Sequence, residues 1–327
     1  MLSLDRRSVL LGIAGSLASN SLPGRCAYAQ SYDDPDALYA ALRDQSHLTL
    51  AIGGGVIEVV FADSAPGLDR ERTIDWITRA ATAVSTYFGR FPVDHVGLLV
   101  IAGNGEKVGP GTTYGYAGSA IRVDVGRDAD EDALRGDWVL THEMVHLALP
   151  NLPRRNLWLE EGNATYVEPI ARAQAGQLGP EGVWRWLTEG MPKGQPEAGD
   201  LGLDHTPTWG RTYWGGAAFW LLADVSIYER THGRQSLLTA LRAVNRKSGG
   251  NAADWSADDV MGAGDAATGT DVLAGLYADM KANPTEVDLQ GLFGKIGVSN
   301  AGGRILFDDR APLTEFRRRL TQPPNKS

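Results

Sequence analysis

The spacing of apolar residues changes along the chain, from short runs in its first part to helical repeats further on. Short apolar runs bounded by glycine, proline or polar residues predict strands, whereas an apolar residue every three or four positions predicts an amphipathic helix. Glycines at 53–55 interrupt the first run, which we interpret as one or two strands with a turn or bulge. The predicted strands are 48–61, 96–101 and 121–125, and the predicted helices are 73–88, 131–149, 157–174, 182–188, 213–230 and 235–245.

The C-terminal part of the chain adds shorter elements. The pattern predicts helices at 271–282, 286–296 and 312–320 and a strand at 304–308, while the glycine-rich stretch 262–269 predicts a loop. A small mixed sheet followed by helices is typical of an α+β fold. We therefore predict a single domain over 30–327, with a sheet lobe at about 48–150, a mostly helical lobe at 151–327, and a site between the lobes.

The first 29 residues have the composition of an export signal. The pair Arg6-Arg7 precedes a short apolar run, and Ala-Tyr-Ala at 27–29 matches the small-residue pattern of a signal-peptide cleavage site. The apolar run is too short to persist as a membrane-spanning helix. We predict a signal peptide over 1–29, of the twin-arginine type with Sec export as the alternative. The mature protein is then periplasmic or secreted, without stable insertion in a membrane.

The mature chain that this cleavage site predicts is acidic and contains no cysteine. The one cysteine, Cys26, lies in the signal peptide, so disulfides, thiolate metal sites and a cysteine nucleophile are excluded for 30–327. The full chain has a formal net charge of −9. Loss of Arg6, Arg7, Arg25 and Asp5 removes a net +2 and leaves about −11, which argues against nucleic acid as a partner.

The segment 139–148 carries the strongest chemical signal in the sequence. His142 and His146 are four residues apart, so on a helix both imidazoles lie on one face and can bind the same metal ion. Glu143 lies between them, where it can accept a proton from water next to that metal. The alternative is a core helix with hydrogen-bonded histidines, but a buried glutamate between them would be costly without a metal.

Such a metal requires a third protein ligand, and Glu161 on the next predicted helix is the best candidate. Catalytic zinc sites commonly combine three protein ligands with one open position, and His, His and Glu form a standard set. We predict one Zn²⁺ per chain, with Glu143 as the general base for hydrolysis of a peptide bond. Glu168, about two turns beyond Glu161 on the same helix face, is a candidate hydrogen-bond partner for a zinc-bound imidazole.

The two motifs together resemble those of the gluzincin zinc peptidases. The pattern His142-Glu-x-x-His146 is followed at 158–168 by Trp-Leu-Glu-Glu-Gly-Asn-Ala-Thr-Tyr-Val-Glu, which is similar to the second-helix motif of that family. The resemblance implies a thermolysin-like α+β fold with the zinc site in the cleft between its lobes. It also implies Glu161 as the third zinc ligand.

A later block, 213–237, resembles the glycyl aminopeptidase family. In aminopeptidase-like gluzincins the tyrosine of this block hydrogen-bonds the oxyanion of the tetrahedral intermediate. The resemblance therefore implies that role for Tyr213, and His205 is the alternative donor.

The segment 111–125 departs from the aminopeptidase pattern. Aminopeptidase relatives have a glutamate in the corresponding loop that binds the free amino terminus of the substrate, and this segment has none. Its glycines and hydroxyls suit an edge strand to which a substrate peptide adds by main-chain hydrogen bonds, with Tyr114, Gly115 and Tyr116 as candidate substrate-binding residues. An ordinary glycine-rich turn is the alternative, and the choice between aminopeptidase and endopeptidase stays open.

Two functions from different classes are consistent with these patterns. The first is an exported zinc metallopeptidase acting on a peptide or protein substrate. The second is a non-catalytic zinc-binding protein that captures peptides or a protein partner. Glu143 favours the enzyme, because a zinc site that only binds has no use for a carboxylate between its histidines.

Overall fold

A five-stranded mixed sheet forms the N-terminal part of the structure, a computed structural model that describes residues 32–323. The predicted signal peptide, 1–29, lies outside the described residues. The strands are β1 (His47–Ile52), β2 (Gly55–Phe61), β3 (His95–Gly103), β4 (Val108–Tyr114) and β5 (Ala120–Gly126). Their order is β1-β2-β3-β5-β4, with β2, β3 and β5 parallel and the two outer strands antiparallel to their neighbours.

The interrupted apolar run at 48–61 is a β-hairpin. β1 and β2 pair from His47 with Val60 to Ile52 with Gly55, and Gly53 and Gly54 form the turn. Both turn glycines have positive φ, 58° and 84°, a backbone conformation that glycine adopts without the steric penalty of a side chain. The predicted turn is therefore confirmed, and it sets one outer edge of the sheet.

Twelve helices and a second, two-stranded sheet are described in the range 32–323. They are α1 (Pro35–Asp44), α2 (Arg70–Phe88), α3 (Glu131–Gly136), α4 (Val139–His146), α5 (Leu157–Gln174), α6 (Pro180–Gly190), α7 (Gly216–Arg230), α8 (Leu237–Ser248), α9 (Ala257–Thr268), α10 (Val272–Met280), α11 (Leu289–Ile296), the hairpin β6 (Val298–Ala301) and β7 (Arg304–Phe307), and α12 (Thr314–Thr321). None of these helices is long and apolar enough to cross a membrane. The predicted order of a small mixed sheet followed by helices is confirmed.

The central strand β3 is buried on both faces, which explains its continuous apolar sequence. Val96, Leu98 and Val100 belong to the large core that also contains side chains of α2, α4 and α5. Leu99 points to the opposite face and packs in a smaller cluster with Leu38 of α1. Helices therefore cover both faces of the sheet. β4 lies at its free edge and packs against α4, the helix that carries the histidine motif.

The prediction of one helix over 131–149 is wrong. The chain leaves helical geometry at Asp137, whose φ of −61° and ψ of 141° are extended, and α4 begins again at Val139. The Asp137 carboxylate accepts hydrogen bonds from the backbone N–H groups of Val139 at 3.0 Å and Leu140 at 3.2 Å. These contacts cap the start of α4, so that the histidine motif occupies a short helix of its own.

The prediction of a loop at 262–269 is also wrong, because residues 262–268 belong to α9 and Gly269 is its left-handed C-cap. Ser256 and Asp259 form a reciprocal capping box at the start of this helix, which stabilises it despite its glycines. A Cβ on Gly264 would lie 2.4 Å from a methyl carbon of Leu273, so the glycine allows α10 to approach closely. Gly264 therefore serves packing between helices, whereas a Cβ on Gly262 would meet nothing within 4 Å.

A buried carboxyl group joins three helices of the C-terminal part. Asp224 of α7 accepts hydrogen bonds from the Tyr166 hydroxyl at 2.9 Å and from the Leu237 backbone N–H at 2.8 Å. Burial raises the pKa of Asp224 to about 6, although both hydrogen bonds act in the opposite direction. The folded protein therefore holds this proton more tightly than the unfolded chain does.

The free energy of unfolding of the wild type is expected to fall as pH rises, because Asp224 must ionise in a buried position. Asp224→Asn is expected to lack this pH dependence. Between about pH 4, where an unfolded aspartate titrates, and about pH 6, ionisation favours the unfolded state. Urea unfolding of both proteins at pH 4 and pH 7 should show the wild type losing about 3 kcal/mol relative to the variant. A difference between the two proteins that does not change with pH would contradict this assignment.

Candidate metal centre

The two histidines of α4 and Glu161 of α5 converge on one point. His142 Nε2 lies 3.2 Å and His146 Nε2 lies 3.4 Å from the same carboxylate oxygen, Oε2 of Glu161. The potential ligand atoms of the three residues all lie within 4.8 Å of one another. The spacing that predicted a shared metal site thus corresponds to a compact group of two imidazoles and one carboxylate.

Close packing of α5 against α7 fixes the position of Glu161. A Cβ on Gly162 would lie 2.3 Å from the backbone carbon of Gly216, and a Cβ on Gly216 would lie 2.1 Å from the Trp158 carbonyl oxygen. Only glycine at both positions permits this approach. The glycine that follows Glu161 therefore allows the start of α7 to lie directly against α5.

The electrostatics of this group favour a positive charge between its members. Burial tends to raise the pKa of Glu161, but the two histidines outweigh burial and hold that pKa far below its usual range. Burial tends to lower the pKa of His146, but the Glu161 carboxylate, with smaller contributions from Glu143 and Glu160, raises it to about 9. The two carboxylates and the raised pKa of His146 thus show that this group attracts positive charge.

The Glu143 side chain lies against the edge strand β4. Glu143 is 8% exposed. The Thr113 hydroxyl lies 2.7 Å from Oε2 of Glu143 and 2.8 Å from the backbone carbonyl oxygen of Glu143. Gly111, two residues earlier on β4, faces the same carboxylate, because a Cβ there would lie 2.5 Å from Cγ of Glu143. Sequence analysis missed Thr113, which lies thirty positions from Glu143 and approaches it only through the tertiary fold.

Tyr213 joins the group from the start of α7. Residues Gly210–Gly215 form one π-helical turn, and the Tyr213 ring stacks on the His142 imidazole with centroids 6.3 Å apart and planes 19° apart. Burial, followed by the charges of Glu161 and Glu143, raises the pKa of Tyr213 well above its usual value. The phenol is therefore a hydrogen-bond donor throughout the neutral pH range.

Two exposed tryptophans border the group and were not predicted as site residues. Trp138, 40% exposed, packs edge-to-face on His142, and Trp209, 60% exposed, stacks on Tyr213. Large apolar side chains exposed to solvent are typical of surfaces that contact a ligand. The rim of the site is therefore partly aromatic.

Other predicted site residues have different surroundings. The Tyr114 side chain packs in the cluster that α1 covers, on the far face of the sheet, and the Tyr116 hydroxyl donates to Asp36 at 2.8 Å. Gly115 approaches the backbone carbonyl of Asn251 so closely that a Cβ would lie 2.1 Å from its oxygen. These three residues follow the edge strand, but the structure does not bring the two tyrosine side chains to the triad.

Glu168 and the alternative donor His205 also have other surroundings. Glu168 is buried and pairs with Arg172, one turn further on α5, at 3.0 Å. Within residues 32–323, no hydrogen bond joins Glu168 to either histidine of the motif. Burial raises the pKa of Glu168 to about 7, with Arg172 acting in the opposite direction. His205 is exposed, and its backbone N–H bonds the Gly202 carbonyl oxygen.

No protein-family model and no curated protein matches the chain, but solved structures share its fold. It is similar to an aminopeptidase N family protein from Idiomarina loihiensis, with a TM-score of 0.57 and 15% identity over 78% of this chain and 49% of that one. An M1 zinc metallopeptidase from Deinococcus radiodurans gives a TM-score of 0.46 and 14% identity over 75% and 53%. The chain thus spans about half the length of these structures. At 15% identity, the first likeness establishes a shared fold of mixed sheet and helices.

Proposed function

We propose that this protein is a zinc-dependent metallopeptidase. The observation that carries the proposal is the approach of two imidazoles and the Glu161 carboxylate to one point, beside a separate carboxylate that belongs to Glu143. A site that only bound metal would not require that second carboxylate next to an edge strand. Its presence favours hydrolysis over simple binding.

The three converging residues fit Zn²⁺. Two imidazole nitrogens and one carboxylate oxygen are a standard donor set for catalytic zinc, which leaves a position open for water or substrate. Their burial and the cation-attracting field described above suit a divalent ion. His142, His146 and Glu161 would therefore hold one zinc ion per chain.

The remaining residues supply the proton transfers and the stabilisation of charge. Bound Zn²⁺ supplies Lewis acidity, which makes water acidic near neutral pH and polarises a carbonyl group. Glu143 accepts the proton of the water that attacks the peptide carbonyl carbon, and it delivers that proton to the amine nitrogen as the C–N bond breaks. Tyr213 donates a hydrogen bond to the oxyanion that develops on the former carbonyl oxygen.

The surroundings of the site support a peptide as the substrate. β4 lies at the free edge of the sheet, where its outer N–H and C=O groups can pair with an extended chain. The aromatic rim formed by Trp138 and Trp209 suits an apolar side chain of such a peptide. The similar structure from Idiomarina loihiensis is that of an aminopeptidase N family protein, which agrees with this choice.

Export is part of the proposal. The signal pattern at 1–29 would place the enzyme in the periplasm or outside the cell, where its substrates are extracytoplasmic peptides or proteins. The acidity of the mature chain supports a substrate other than nucleic acid.

Zinc-loaded mature protein is expected to cleave a mixed peptide library, and the same protein stripped by a chelator is expected to be inactive. Mass spectrometry of the products would show whether cuts fall after the first residue or within the peptides, which distinguishes an aminopeptidase from an endopeptidase. Restoring one equivalent of zinc should restore cleavage, which separates metal loss from irreversible unfolding. An intact library in the presence of protein carrying one zinc ion would favour the non-catalytic binding protein.

A further inference from the structure

The edge strand β4 presents two residues to the proposed general base. Side chains alternate between the faces of a strand, so positions 111 and 113 point to the same side. Both lie against Glu143: the Thr113 hydroxyl is 2.7 Å from Oε2, and the α-carbon of Gly111 faces Cγ. The intervening Thr112 points to the opposite face, and its hydroxyl donates to the Gly111 carbonyl oxygen at 2.7 Å.

We propose that Thr113 is a positioning residue that orients the Glu143 carboxylate for proton transfer. This inference rests on the proposed peptidase function. By donating to Oε2, the hydroxyl leaves Oε1 as the oxygen that takes the proton from water and returns it to the leaving amine. The same hydroxyl lies 2.8 Å from the Glu143 carbonyl oxygen, so one side chain contacts both ends of the general base.

A threonine in this position fixes geometry without changing charge. Its branched Cβ limits rotation about χ1, and β4 is held by pairing of Thr113 with Ile121 of β5. Glutamate alone has three rotatable side-chain bonds, so an external donor reduces the conformations that the carboxylate samples. An arginine or lysine in place of Thr113 would instead hold the carboxylate in its ionised form and oppose proton uptake.

Gly111 provides the space into which the carboxylate fits. The three atoms nearest to a Cβ at position 111 are Cγ, Cδ and Oε1 of Glu143, at 2.5, 3.1 and 3.1 Å. Any side chain there would displace the very oxygen that Thr113 leaves free. Gly111→Ala therefore tests the position of the Glu143 carboxylate through a steric contact instead of a hydrogen bond.

Three threonine variants test the role of the hydroxyl. Thr113→Val keeps the shape of the side chain and removes the donor, Thr113→Ser keeps the donor, and Thr112→Val is the matched control on the opposite face. For each zinc-loaded full mature protein, kcat, KM, bound zinc and thermal midpoint would be measured with one peptide from the library. Gly111→Ala would be measured in the same way.

Thr113→Val is expected to lower kcat by about 10- to 100-fold, the usual cost of removing a partner that orients a catalytic group, with KM and bound zinc unchanged. Thr113→Ser should restore kcat to within about threefold of the wild type, and Thr112→Val should match the wild type. Gly111→Ala should lower kcat with zinc retained. In a Glu143→Gln background, Thr113→Val should produce little further loss, because the hydroxyl acts through that glutamate.

Equal kcat values for the wild type and Thr113→Val would overturn the role of Thr113 while leaving the peptidase standing. The same conclusion would follow if the serine variant were as slow as the valine variant, or if Thr112→Val lost as much activity. Absence of cleavage by the zinc-loaded wild type would overturn both the peptidase and this inference.

Discussion

Glu143→Gln is expected to lower kcat for peptide hydrolysis by about a thousandfold, within the usual contribution of general acid–base catalysis. Glutamine has nearly the size and shape of glutamate, but it cannot accept the proton of the attacking water. The candidate ligand atoms belong to His142, His146 and Glu161, so the loss of this carboxylate leaves the metal site complete. Bound zinc, measured by atomic absorption, should therefore equal that of the wild type.

The structure also predicts that the fold tolerates this change. The Thr113 hydroxyl can donate to the amide oxygen of glutamine as it does to Oε2 of the carboxylate. KM and the thermal midpoint should accordingly remain close to those of the wild type. If the variant kept more than a tenth of the wild-type kcat at full zinc occupancy, Glu143 would not be the general base.

Sequence patterns predicted most secondary-structure elements because local spacing determines them. The helix at 157–174 has the bounds of α5, and the central strands lie where the apolar runs are. The errors occur where a single polar contact or a packing contact overrides spacing. Asp137 divides the predicted helix 131–149 by capping α4, and Gly264 of α9 allows close packing against α10.

α1 was not predicted, although it covers one face of the sheet. Its apolar residues, such as Leu38, pack against Leu99 of β3 in a cluster that forms only when distant segments come together. The pattern of a short helix of ten residues is weak in the sequence alone. Burial against the sheet therefore stabilises it more than its own propensity does.

Local spacing likewise predicted part of the candidate site, and the tertiary fold alone determines the rest. The spacing of His142 and His146 on one helix predicted two of the converging side chains, since that geometry is local. Thr113 reaches the site only through the packing of β4 against α4, which no spacing within one segment specifies. Trp138 and Trp209 each lie four residues before their ring partners His142 and Tyr213, so local spacing could have indicated them. The alternation Gly-x-Thr at 111–113 indicates that residues 111 and 113 share one face of the strand. It does not indicate that this face contacts Glu143, which is thirty positions away.

Alternation also explains the placement of Tyr114. Of the two interpretations of 111–125, the structure shows the edge strand as far as Tyr114. A residue one position further along a strand, however, points to the other face. Thr113 faces α4, and Tyr114 consequently packs beneath α1. Along this strand, Gly111 and Thr113 contact the proposed general base, Glu143.

Glu161→Ala is expected to abolish peptide hydrolysis by removing zinc. Loss of a residue that merely orients a ligand costs about 10- to 100-fold in metal affinity, so loss of a ligand itself should exceed a hundredfold. Unlike Glu143→Gln, this variant should lose activity and zinc together, and raised zinc concentrations should restore part of both. Titration with a competing chelator would give the two affinities.

Glu160→Gln provides a matched control from the neighbouring position. Adjacent residues on a helix point about 100° apart, and the Glu160 side chain accepts a hydrogen bond from the Leu152 backbone N–H at 2.6 Å. Glutamine keeps an oxygen for that contact, so zinc affinity and kcat should stay near the wild-type values. Full zinc affinity in Glu161→Ala, or an equal loss in Glu160→Gln, would contradict the assignment, because the His142 and His146 nitrogens both lie within 3.4 Å of the Glu161 carboxylate.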